Sequence, residues 1–225
     1  MMGREKGKVA LVTGARTGPG ETGSTPSGAG RREGSLLISI ATMFALSSMA
    51  STRSIWVRHS PSSTMLSSKD EWAKVVEVGV KAFGSITVLV NSAGVLSPAL
   101  YDEVTHGHRQ TTIDVNEWSQ FVGMQTTVPY MKEAGVGSIV NIASLAVADA
   151  GGRFSFSRAA AIELAGSNIC VNSVDLGVIP TAMVDEVFPN KVAYLTSDEA
   201  DFTTGTSQII EGGLSYMGVF RRTDR

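Results

Sequence analysis

Apolar positions along the chain follow two alternating periods. Residues 8–13, Lys-Val-Ala-Leu-Val-Thr, are apolar almost throughout and rich in β-branched side chains, which is the pattern of a strand buried on both faces. Similar runs at 36–40, 86–91, 137–143, 170–174 and 207–211 predict further strands. Between them the period lengthens to that of a helix. Over 70–83, Trp72, Val75, Val76, Val80 and Phe83 fall on one stripe, and Ser68 with Glu71 has the spacing of a capping box. Over 117–133, Trp118, Phe121, Val122, Gln125 and Val128 predict a second helix. Strands alternating with helices predict an α/β fold, a Rossmann-type doubly wound parallel sheet. Nothing repeats internally, and one domain spanning 1–225 accommodates the chain. Within it, 21–67 is irregular and fits the pattern poorly.

Composition narrows the function classes. Hydrophobic content of 43% with 18% charged residues is ordinary for a globular protein. A formal charge of −2 supplies neither a basic footprint for nucleic acid nor attraction to an anionic membrane, so neither partner is expected. Cys170 is the sole cysteine, which rules out an intramolecular disulfide and makes a cytoplasmic location the expectation. No metal site is expected. The apolar run 35–50 follows Arg31-Arg32 as a signal peptide's core would, but it is short and rich in Ser and Thr. A buried strand with a following segment is the better reading.

The first candidate chemistry follows the first strand directly. Thr13-Gly14-Ala-Arg-Thr-Gly18-Pro-Gly20 places glycines where a backbone must turn sharply and approach a pyrophosphate. The ordinary alternative, a glycine-rich turn without function, is weakened by the buried strand before it. The next segment is unfavourable for the helix that should meet the phosphates. Gly23, Pro26, Gly28 and Gly30 would together cost a helix interior roughly 5–6 kcal/mol against alanine. The acid that usually accepts the ribose 2′-hydroxyl is also missing, for no Asp or Glu occurs from Gly34 to Lys69. Arg53 and Arg58 are compatible with a 2′-phosphate, although lone arginines in an irregular stretch are more often solvated. The sequence leaves the choice between NAD and NADP open.

Three further motifs follow in register: Asn91-Ser-Ala93-Gly94, Val115-Asn116, and Gly-Ser-Ile-Val-Asn-Ile-Ala-Ser ending at Ser144. With the glycine loop they make the chain resemble the short-chain dehydrogenase/reductase family, nearest its hydroxysteroid- and alcohol-dehydrogenase-like members. The resemblance covers 6–20 and about 68–217. It implies an NAD- or NADP-dependent oxidoreductase acting on a small-molecule secondary alcohol or ketone, steroids included, in a homodimer or tetramer. It further implies that Gly14, Gly18 and Gly20 form the phosphate loop and that Asn91, Ala93 and Gly94 lie beside the adenine ribose. Asn116 would hold a water of the proton relay, Ser144 would bond the substrate oxygen, and Ile179 with Thr181 would hold the nicotinamide carboxamide. Taken alone, Asn116 and Ser144 have ordinary readings as a helix cap and a strand end.

The departures fall on the chemistry. Phe154 and Arg158 stand at the family's Tyr-x-x-x-Lys catalytic pair, and phenylalanine has no proton to transfer. Arg158 runs straight into Ala159-Ala-Ala-Ile-Glu163-Leu164, so the helix after Phe154 is expected to be shortened, as the one after the glycine loop is expected to be broken. Three readings follow: a dehydrogenase that is weak or inactive as written, a non-catalytic dinucleotide-binding or oligomer-partner pseudoenzyme, and a decayed chain without function.

Overall fold

The computed structural model describes residues 7–14, 37–42, 54–58, 66–95, 101–144, 152–177 and 181–212. Among these, one sheet contains β1 (Val9–Thr13), β2 (Leu37–Thr42), β3 (Ser54–Arg58), β4 (Val88–Asn91), β5 (Gly137–Ser144), β6 (Ile169–Leu176) and β7 (Ser207–Ile210). Their order is β3-β2-β1-β4-β5-β6-β7. The strands β1, β4, β5, β6 and β7 pair in parallel. The α/β, Rossmann-type sheet read from the sequence is therefore present.

The helices are α1 (Lys69–Phe83), α2 (His106–Ile113), α3 (Ser119–Ala134), α4 (Gly152–Leu164) and α5 (Thr181–Thr196). Successive strand residues face opposite sides of the sheet, and the two cores show it. Leu11, Leu89, Ile139 and Val171 pack with Trp72 and Val76 of α1, Val122 and Met131 of α3, and Ala161 and Leu164 of α4. Ala10, Val12, Val90, Val140 and Val174 pack on the other face with Val192 and Leu195 of α5. At the start of α1, Ser68 Oγ accepts from Glu71 N at 3.4 Å. The predicted stripe of α1 is the one buried, with Val80 and Phe83 at its margin.

Two features differ from the sequence reading. First, β2 runs antiparallel to β1, and β3 antiparallel to β2. A parallel neighbour needs a crossover of a dozen or more residues, usually a helix, whereas an antiparallel one does not. The glycines and proline of 21–32 disfavour such a helix; the segment where it was expected lies outside the described residues. Second, α3 buries a different face. Ser119, Gln120, Val122, Gly123, Met124, Thr126, Thr127 and Met131 are buried, while Gln125 and Trp118 are exposed. Small and polar side chains were missed there because the face packs close to the sheet and hydrogen-bonds within it. The shortened helix expected after Phe154 is α4, 13 residues long, which passes through one 3-10 turn, Ala165–Ser167, into β6.

Gly123 shows how close that packing is. A Cβ built there would stand 2.7 Å from Trp72 Cη2 and 3.1 Å from Asn91 Oδ1. Trp72 cannot retreat easily, being 1% exposed with its Nε1 donating to Leu66 O at 2.8 Å. Gly123→Ala is thus expected to destabilise the fold by about 1–3 kcal/mol through overpacking. Gly166→Ala, where a Cβ meets open space, should be neutral within about 0.5 kcal/mol. Urea unfolding midpoints of the two variants check the contrast.

Candidate active site

In an open parallel sheet, ligands bind beyond the carboxyl ends of the strands, where the chain departs from neighbouring strands in opposite directions. Here that point lies between β1 and β4: β1 has β2 as its other neighbour, and β4 has β5. Thr13 and Asn91 end the two strands in register. Thr13 Oγ1 accepts from both Ser92 N and Ala93 N, each at 3.1 Å, and so fastens the turn after β4 to the end of β1. Gly14 follows with φ +72°, and a Cβ there would lie 2.8 Å from Ala93 Cα. Only glycine satisfies both constraints.

Asn91 is 1% exposed and anchors a chain of buried amides. Its Nδ2 donates to Asn141 Oδ1 at 2.8 Å and to Gln120 O at 3.3 Å. Asn141 Nδ2 in turn donates to Ser157 Oγ of α4 at 2.9 Å. Gln120 Nε2 completes the set by donating to Ile142 O at 3.1 Å. The chain joins β4, β5, α3 and α4.

Asn116 lies in a single π-helical turn, Asp114–Trp118, between α2 and α3. Its amide clasps one residue of the turn after β4: Val95 N donates to Asn116 Oδ1 at 2.7 Å, and Asn116 Nδ2 donates to Val95 O at 2.8 Å. A Cβ on Gly94 would come to 3.4 Å from the same Oδ1. Gly14, Asn91, Ala93, Gly94 and Asn116 are thereby brought together. An amide has two donor hydrogens and two acceptor lone pairs, so this clasp leaves hydrogen-bonding capacity on both ends of Asn116.

The remaining predicted residues are distributed differently. Ser144 ends β5, half-buried, and pairs with Leu176. Phe154 lies in the first turn of α4, three residues before Ser157. Arg158 is exposed, and its Cγ stands 3.9 Å from where a Cβ on Gly205 would be. Gly205 donates to Val171 O near the start of β6, so the stem of Arg158 lies well below the strand ends where Ser144 sits. Thr181 is the first residue of α5. Gly18, Gly20 and Ile179 lie outside the described residues.

Thr13, Asn141 and Ser157 were not singled out by the sequence reading. The signal for Asn141 was available, since an amide inside the apolar strand 137–143 must find a buried partner. A cavity of about 400 Å³ opens at the opposite, amino-terminal edge of the sheet, beside Gly7, Lys8, Cys170 and Asp201. Its polar groups are engaged locally: Lys8 Nζ donates to Thr196 O at 2.7 Å and pairs with Asp198 at 2.8 Å. Burial, and secondarily Asp201, pushes the Cys170 thiol up, which disfavours the nucleophilic thiolate. Among the described residues no group of three or more His, Cys, Asp or Glu is placed to hold a metal, and no helix is long and apolar enough to cross a membrane.

Comparison with known proteins agrees with the fold. A family model described as short chain dehydrogenase matches residues 8–192. A 3-alpha-(or 20-beta)-hydroxysteroid dehydrogenase of Mycobacterium bovis is 32% identical over 95% of this chain and 91% of its own length. A 3-oxoacyl-[acyl-carrier-protein] reductase of Thermotoga maritima is 30% identical over 94% of this chain and 99% of its own. Among solved structures, a short-chain dehydrogenase/reductase from Burkholderia xenovorans superposes with a TM-score of 0.61 at 27% identity, covering 67% of this chain and 72% of that one.

The Thr13 clasp generates a direct test. Thr13→Val keeps the shape but strands two backbone N–H groups, and is expected to cost about 2–4 kcal/mol. Thr13→Ser retains the acceptor and should cost under about 1.5 kcal/mol. Equilibrium unfolding of the two variants measures the difference.

Proposed function

The chain belongs to the short-chain dehydrogenase family, and from that premise we propose that it is an NAD(P)-dependent oxidoreductase of secondary alcohols or ketones, impaired at its proton-transfer position. The observation that carries the reading is the Asn116 clasp on Val95. It holds Asn116, to which the resemblance gives the relay role, against the turn of Asn91, Ala93 and Gly94, at the strand ends where such a sheet is expected to bind a dinucleotide. The relatives support the substrate class, one being named for a hydroxysteroid and another for an oxoacyl group.

The residues present suit a dinucleotide. Gly14, Ala93 and Gly94 leave the crevice without bulky side chains, and Ser92 Oγ is buried there with no partner among the described residues. In this reading the loop from Gly14 would hold the phosphates, and Asn91, Ala93 and Gly94 would lie along the adenosine. Ile179 and Thr181 would hold the carboxamide. The bound nicotinamide supplies the hydride acceptor or donor at its C4. The protein's own part is to orient the substrate oxygen at Ser144 and to move a proton to or from it. A water on the spare valences of Asn116 would belong to that relay.

Position 154 is where the relay ends without its acid. A positioned acid or base contributes roughly 10²–10⁴ in rate, and Phe154 contributes none of it. Arg158 does not repair the loss. A guanidinium holds a different hydrogen-bond geometry from a lysine ammonium, and the Arg158 stem is directed to Gly205 rather than to the strand ends. The same absence of a proton at 154 favours one second reading, a chain that binds a dinucleotide without turning over substrate, alone or within a homo-oligomer.

Purified protein titrated with NADH and NADPH should show saturable fluorescence changes with at least one of them. Phe154→Tyr should raise turnover of a cyclic secondary alcohol by about 10²–10⁴ over the unaltered chain. Binding that persists without any gain in turnover would support the non-catalytic reading instead.

A further inference from the structure

Among the described residues Phe202 is the most exposed large apolar side chain, standing fully in solvent. Its backbone is nonetheless held on both sides. Cys170 Sγ donates to Asp201 O at 3.3 Å. Thr203 N donates to Ala200 O at 2.9 Å, and Thr203 O accepts from Asn172 Nδ2 at 2.6 Å. Val171 N donates to Thr204 Oγ1 at 3.0 Å, and Gly205 N to Val171 O at 2.8 Å. Residues 201–205 are thus pinned to the first residues of β6. The ring is presented outward from a fixed frame, so little ordering remains to be lost when something covers it.

Beside Phe202 opens the cavity of about 400 Å³ at the amino-terminal edge of the sheet, with Asp201 in its wall. Val136, Cys170, Leu195 and Ala200 give it apolar lining. Its hydroxyls are already engaged, Ser138 Oγ donating to Leu195 O and Ser197 Oγ to Tyr194 O, each at 2.7 Å. An occupant needs no hydrogen bonds of its own there, which suits an apolar group. A volume of this size lies in the range that encloses drug-sized molecules, so a benzyl side chain fits.

Knob and hole lie side by side on one edge. A twofold axis between them sets each Phe202 against the cavity of the other copy, the self-complementary contact of an isologous dimer. Charge favours the same pairing. Lys8 lines the cavity and pairs with its own Asp198, whose carboxylate is largely exposed. Asp201 of a second copy, arriving next to its Phe202, would meet the same ammonium.

We propose that two copies of this chain associate through the amino-terminal edge of the sheet, each inserting Phe202 into the other's cavity beside Val136 and Cys170. The contact is independent of dinucleotide binding, because the crevice lies at the opposite edge.

The test is sedimentation velocity of the full chain over a range of concentrations. The unaltered chain is expected to associate. Phe202→Ser changes only a fully exposed side chain. It should weaken association about tenfold or more and leave the urea unfolding midpoint of dilute protein unchanged. Val136→Arg, which obstructs the cavity, should weaken association similarly. A mixture of the two variants regains one of the two contacts, since Phe202 of one can enter the intact cavity of the other. The mixture should therefore associate more tightly than either variant alone. Should Val136→Arg fail to fold, Phe202→Ser decides the question by itself. A chain that stays monomeric, association untouched by Phe202→Ser, or a mixture no tighter than its components overturns the proposal. Uptake of 8-anilinonaphthalene-1-sulfonate into the cavity of a monomeric chain overturns it in favour of a small-molecule pocket.

Discussion

The rest of the structure depends on the buried amide chain from Gln120 through Asn91 and Asn141 to Ser157. These groups lie in a setting where an unpartnered polar atom costs about 1–3 kcal/mol, and among the described residues Gln120 Oε1 is the one atom of the chain left so. The paired amides fix register. Asn91 and Asn141 pair side by side across β4 and β5. A slip of one residue would turn either amide into the apolar cluster beneath α5. The same bonds set α3 and α4 on the sheet, because Gln120 reaches Ile142 and Ser157 reaches Asn141. Once those elements are placed, the ends of β4 and β5 and the π turn carrying Asn116 follow.

The same bonds locate the segment that carries positions 154 and 158. In Phe154-Ser-Phe-Ser157-Arg158, the residue that holds the helix to the sheet is Ser157. Phe154 takes no part in that anchoring bond, and Arg158 lies exposed on the outer side. In the proposed reading, folding and proton transfer would fall to different side chains of this segment. At the end of β1, Thr13 and Gly14 shape the crevice by packing on the turn after β4.

The parallel strands and α1 were legible in the sequence because their side chains report directly on burial. Val9–Thr13 is apolar on both faces, and Trp72, Val75 and Val76 repeat at helical spacing. Legibility failed where burial is polar or small. The face of α3 carries Ser119, Gln120, Gly123, Thr126 and Thr127, which apolar periodicity cannot register. α2 begins His-Gly-His-Arg-Gln and buries nothing, so it gave no stripe to find. The direction of β2 was equally hidden, since Leu-Ile-Ser-Ile-Ala-Thr reads the same for either orientation. The meeting of Asn116 with the turn of Asn91, Ala93 and Gly94 was not legible, because nothing in their spacing requires it.

The central claim is that the crevice at the ends of β1 and β4 still receives a dinucleotide although the proton donor beside it is gone. Hydrogen exchange of the full chain with and without saturating NADPH tests this directly. The account predicts slower exchange in the peptides covering Thr13–Gly14 and 91–95, with none at 168–170 on the opposite edge. Unchanged exchange throughout, or protection confined to the opposite edge, would contradict it.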